Sequence, residues 1–257
     1  MTIELIKPFD LYVDVNVQRE LHTGNVNKLQ KNWDPDKVGV LLGSRRVDGK
    51  VYLLDGQSRS SAAKISDPDE PLRVDVREGL SRAEEAALFI AFNDDRKKVA
   101  VHELFRVRAI ASEQPYRDAW DVLEKHNLGL KVSASTNNLA CAGTLGVFLT
   151  KHGEVSDFEL AIEIAEASWG RSKETWLTVP FMGLCYVIAK NRNLDVERMV
   201  LKLRDRTPMY WQTTTEDQLR KMGMSRSDGG RGTAKVCAMI FAAEYNKNLK
   251  RNRLDAS

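Results

Sequence analysis

Apolar and polar residues alternate over residues 9–17 (FDLYVDVNV), which predicts a strand or extended segment. Val26, Leu29 and Trp33 fall on one helical face, and Asp34-Pro35 stops that helix. Residues 38–44 (VGVLLGS) read as a strand and residues 46–50 as a turn with Asp-Gly at its tip. Residues 51–54 return as the partner strand, and a helix of small residues follows around Ala62-Ala63. Beyond the loop at 67–71, residues 72–77 (LRVDVR) alternate as a further strand. Ser81 and Glu84 have the spacing of a capping box and open a helix running to Ala91 or Phe92. Residues 93–98 are the polar break after it.

From residue 101 onward the spacing becomes helical. Apolar residues recur at 3.6-residue intervals over 103–113, 116–127, 137–152, 157–168, 173–191, 196–205, 215–222 and 233–249. The breaks fall at Gln114-Pro115, Gly129, Gly153, Gly170, Pro180, Pro208 and residues 227–230. Only residues 130–133 read as a strand there, and the Gly-rich stretch 228–232 reads as a mobile loop. The pattern predicts an α+β protein, with a mixed α/β domain over 1–100 and an all-helical domain over 101–257.

Composition narrows the class. The chain has 257 residues, 42% hydrophobic and 29% charged, as in a globular protein with a full core. No apolar run approaches the roughly 18 residues of a membrane span, and Met1–Leu5 lacks the layout of a signal peptide. A cytoplasmic protein is expected. Cys141, Cys185 and Cys237 lie far apart in apolar, helix-like surroundings and read as core residues, with neither zinc site nor disulfide framework. His22, His102, His126 and His152 have no ligand-type partner at i, i+4, so no metal site is expected.

Charge is uneven. The net charge is +3, yet from Asn191 onward there are 14 Lys/Arg against 8 Asp/Glu. Such asymmetry permits contact with DNA through the basic C-terminal half. Lys247, Lys250, Arg251 and Arg253 read as a solvated terminal helix, with phosphate contact as the functional alternative. Trp211 beside Tyr210 reads as a core anchor, with base stacking as its alternative.

One motif carries chemistry. Residues 52–59 (YLLDGQSR) end an apolar strand in Asp-Gly and place Arg59 at the start of a small-residue helix. The Asp-Gly break lets the backbone approach a ligand, and the helix N-terminus supplies N–H donors and partial positive charge. Arg59 adds a fork suited to phosphate oxygens. An ordinary strand-turn-helix connection with a surface Arg explains the same residues.

Joined to Gln18-Arg19 before it and Asn93-x-x-Arg96 after it, the motif resembles the ParB/sulfiredoxin superfamily. It looks closest to the subgroup whose motif is Asp-Gly-Gln-His-Arg. In partition proteins Gly-Glu-Arg-Arg and Glu-Asn-x-x-Arg build a cytidine triphosphate site. The resemblance implies a phosphate site made of Gln18, Arg19, Gly56, Gln57, Ser58, Arg59, Asn93 and Arg96, holding CTP or ATP with Mg2+. It covers about residues 1 to 110. The helical remainder resembles an uncharacterised extension found behind such domains in phage and actinobacterial proteins. A homodimer stays open.

The departures matter. Ser58 replaces the usual His, Gln57 the Glu, and Phe92 the carboxylate before Asn93, so general-base and metal-holding groups are missing. The loop has no Cys, which excludes sulfiredoxin chemistry. The expectation is a nucleotide-phosphate-binding, DNA-associated regulator or partition-type protein. A helix-turn-helix over 120–145, with Gly129 in the turn, would read bases. One alternative is a phosphoryl-transfer or nuclease enzyme using Asp55 and Glu103. The other is a degenerate module that only binds protein.

Overall fold

The computed structural model describes residues 2–18, 20–93, 100–224 and 230–255. The protein is α+β, and by its internal contacts it divides into Met1–Glu113 and Gln114–Ser257.

The first unit is built on β1 (Thr2–Ile6), β2 (Leu11–Tyr12), β3 (Leu41–Arg45), β4 (Val51–Asp55) and β5 (Leu72–Glu78). Their order in the sheet is β1-β5-β3-β4-β2. β1 runs antiparallel to β5 and β3 antiparallel to β4, while β3 is parallel to β5 and β2 to β4. The helices are α1 (Thr23–Lys31), α2 (Gln57–Ser66), α3 (Arg82–Asn93) and α4 (Val101–Ile110). Leu41, Leu53, Ala63, Leu72 and Val74 share one buried cluster that fastens α2 to the sheet. Val17, Ala86, Phe89 and Val107 form another, which joins α3 and α4 within this unit. Ser81 caps α3 as its spacing predicts: Glu84 Oε2 accepts from Ser81 N and Oγ at 2.8 Å.

One local expectation gives way here, and one strand goes unforeseen. The strand expected over 9–17 shrinks to Leu11–Tyr12, because Pro8–Asp10 form a 3-10 turn and Asp14 starts a turn at 14–18. β1, which no sequence expectation covered, alternates over residues 2–5, but this edge strand leaves its apolar positions Ile3 and Leu5 exposed.

The second unit contains α5 (Tyr116–Lys125), β6 (Gly129–Leu130), β7 (Asn138–Leu139), α6 (Ala142–Lys151), α7 (Val155–Trp169), α8 (Thr178–Lys190), α9 (Val196–Leu203), α10 (Pro208–Lys221) and α11 (Gly230–Asn246). α8 is its central helix, with α7 and α11 packed on it. Trp176, Phe181, Phe158, Trp211 and Phe241 meet edge-to-face in the core. At Gly183 a Cβ would stand 2.9 Å from Cys237 Sγ, so glycine sets how closely α8 and α11 approach.

Several expectations for this region are corrected. The helix-turn-helix over 120–145 does not form: β6 and β7 pair in parallel between α5 and α6. Trp176 Nε1 donates to Thr136 O at 2.8 Å, which holds the turn between Ser135 and Asn138. Pro180 lies inside the first turn of α8, where its missing N–H costs no helical bond. Trp211 is 2% exposed and belongs to the core, so it offers no face to a base. The helix expected to reach Leu249 stops at Asn246, and the basic residues after it lie on a folded-back tail. Of the Gly-rich stretch 228–232, residues 228 and 229 fall outside the described residues and Gly230 opens α11. Among the described residues no helix is long and apolar enough to cross a membrane.

Candidate functional site

β4 hands over to α2 through Gly56. Its φ is 99°, and a Cβ there would stand 2.4 Å from Leu41 Cδ2, so only glycine lets the chain reverse against β3. No side chain caps α2, which leaves its first N–H groups available at the positive end of the helix dipole. A cavity of about 70 Å³ opens at this end, lined by Gln18, Leu54, Gly56, Gln57, Ser58, Arg59 and Phe89. Residues the sequence places far apart, Gln18 and Gly56–Arg59, therefore share one small space.

Their side chains are not equally available. Gln18 is 3% exposed, and its Nε2 donates to Leu53 O and Leu54 O, both at 2.8 Å. It braces the end of β4. Arg59 Nη1 donates to Val38 O at 2.7 Å, and its Nη2 to Asp55 Oδ2 at 2.8 Å. The guanidinium thus ties α2 to the chain entering β3, and the Asp55 carboxylate is spent on it. Glu103 Oε1 accepts from Glu20 N at 2.9 Å, and Arg106 Nη2 donates to Gln18 O at 3.1 Å, so α4 holds the segment that delivers Gln18. Asp55 and Glu103 stand outside the cavity lining. Asn93 is the last residue of α3, while Arg19 and Arg96 lie outside the described residues. Gln57 and Ser58 are half-buried on the first turn of α2.

Sequence reasoning missed the frame behind Gln18. Asp14 O accepts from Val17 N and Gln18 N, at 3.1 and 2.8 Å, which makes the turn that presents Gln18. The Asp14 carboxylate takes Arg46 at 2.9 Å and Arg82 at 2.6 Å, and Arg46 also holds the fully buried Glu85 through Nε and Nη2. Burial pushes the Asp14 carboxyl up, but the Asn16 N–H, Arg82 and Arg46 outweigh it and hold it at about 2. The contact partners lie too far apart in sequence for any local pattern to mark them.

In the second unit His126, Glu159 and Glu163 gather with ligand-type atoms within 4.8 Å of one another, a cluster the sequence spacing did not suggest. Lys125 Nζ already sits 2.6 Å from Glu159 Oε1, so an ammonium answers this acidity. No protein-family model matches the chain, and no curated protein matches it.

By fold and site the protein belongs to a broad class: an α+β protein with an uncapped helix N-terminus beside a cavity the size of one small group.

Proposed function

We propose that this is a ParB-like, nucleotide-phosphate-binding and DNA-associated protein of regulatory or partition type. The reading is carried by the convergence of Gln18 with Gly56–Arg59 around the uncapped start of α2. A helix N-terminus with free N–H groups favours an anion, and about 70 Å³ suits one phosphoryl group, leaving sugar and base outside. The donors are backbone N–H groups and the Ser58 hydroxyl. Arg59 lines the cavity while its guanidinium braces the turn through Val38 O and Asp55. The excess of Lys/Arg after Asn191 supports the DNA association.

The site favours binding over catalysis. Asp55 is paired with Arg59 and Glu103 holds a backbone N–H, so both carboxylates already have structural work. Gln57 is neutral and cannot serve as a base.

Equilibrium dialysis with CTP, ATP and ADP, with and without Mg2+, tests the reading when paired with Ser58→Glu. A carboxylate on the first turn of α2 stabilises the helix by about 0.3–1 kcal/mol while repelling phosphate. The expected result is nucleotide binding by the native protein and its loss in Ser58→Glu, with thermal stability kept or raised. Absence of binding at millimolar nucleotide rejects the reading, and binding that survives Ser58→Glu moves the site elsewhere. Release of inorganic phosphate after binding would make the protein an enzyme.

A further inference from the structure

Among the described residues of the second unit, cationic side chains gather where its C-terminal tail folds back. Asn246 is buried and clamps Leu254 twice: its Nδ2 donates to Leu254 O at 2.8 Å, and its Oδ1 accepts from Leu254 N at 2.7 Å. Asn248 and Asn252 take positive φ, 66° and 53°, which turns the chain between the two ends of this clamp. The loop so closed carries Arg251 and Arg253 to a cleft of about 580 Å³ that Arg198, Arg192 and Lys190 also line.

Most of these cations are accounted for. Arg192 pairs with Glu154 and Asp157, and Lys190 with Asp255. Arg198 caps the end of α11, donating to Tyr245 O and Lys247 O, and keeps Nη1 unused. Arg251 and Arg253 have no hydrogen-bond or ion-pair partner among the described residues. The lining carboxylate, Asp195, is committed to its own helix, accepting from Arg198 N.

Charge from three separate segments converging on one cleft suits a compact anion better than an extended polymer. A second cavity of about 480 Å³ shares Lys190 and Asn191 with the cleft and is walled by Tyr186, Val187 and Met239, with His152, Lys235 and Asp255 also in its lining. We propose that this cleft binds a small phosphorylated organic molecule, its phosphate on Arg251 and Arg253 and its apolar body in the adjoining cavity. The site is independent of the α2 turn.

Titration of the full chain with inorganic phosphate, AMP and phenyl phosphate, followed by calorimetry, tests this. The probes are repeated on Arg251→Ala/Arg253→Ala and on Ser58→Glu. Two guanidinium–phosphate contacts predict a loss of roughly tenfold or more in the double variant. Its melting temperature is expected to stay unchanged, since neither side chain makes an internal bond. Binding that persists in Ser58→Glu supports the proposal, and loss there assigns the ligand to α2 instead. An unchanged double variant, no binding at millimolar ligand, or inorganic phosphate bound as tightly as the organic phosphates overturns it. So does tighter, steeply salt-dependent binding of a short DNA duplex that the double variant loses, which would make the cleft, rather than the remaining Lys/Arg after Asn191, the nucleic-acid surface.

Discussion

At the scale of single residues, Gly56 decides whether the candidate site exists. Its φ of 99° and the 2.4 Å approach of Leu41 Cδ2 to any Cβ leave two penalties for a larger side chain. Strained backbone and overpacking together cost about 2–4 kcal/mol, so Gly56→Ala should lower the urea midpoint of the first unit clearly. A midpoint within error of the native one would show that β4 and α2 can join in another geometry. The need for glycine here was legible from Asp55-Gly56 between a strand and a helix. Arg59 was legible as a site residue too, but not in its role. Its bonds to Val38 O and Asp55 depend on β3 lying beside α2, which no local pattern states. The same holds for Gln18, whose amide turned out to serve the β4 carbonyls.

At the scale of elements, periodicity located nearly every helix and the three inner strands, because each buries one face against the core of its own unit. It failed where tertiary bonds overrode propensity. The stretch between α5 and α6 was drawn into β6 and β7, and the tail after α11 was clamped by Asn246. It also could not show the Asp14–Arg46–Glu85 network that fastens α3 to the turn at 14–18. That network makes the site's frame sensitive to acid. Asp14 is held at about 2, below an ordinary carboxyl near 4, so it binds protons less readily folded than unfolded. Its contribution, about 1–2 kcal/mol, is fully present above pH 4 and disappears as pH falls from 4 towards 2. Urea unfolding of the native protein should lose stability over that window. Asp14→Asn should be weaker at pH 7 and fall less steeply between pH 4 and 2. The remaining slope belongs to Asp34, Asp48, Glu84 and Glu159, which are also held low. An equally steep slope in the variant would assign the whole acid response to those carboxylates.

At the scale of the whole molecule, the cysteines report on the opening of the second unit. Cys141 begins α6, Cys185 sits in α8 and Cys237 in α11, and each is at most 2% exposed. Burial pushes the thiols of Cys141 and Cys237 up to about 12 and that of Cys185 well above its usual range. Thiolate is the reactive form, so a disulfide reagent at pH 8 finds almost none in the folded unit. Labelling must then wait for the helices to part, and its rate follows the population of the open form. The expected course is negligible labelling of native protein, rising with urea in step with the loss of helical circular dichroism. Cys237 adds a second signature. Gly183 packs against it so closely that a single Cβ would come within 2.9 Å of its sulfur, which leaves no room for an adduct. Protein labelled at Cys237 while open should fail to regain the α8–α11 contact on removal of urea, while protein reduced back to the thiol should regain it. Fast labelling of native Cys237, or full recovery with the adduct in place, would mean that α8 and α11 are not packed as tightly as Gly183 allows.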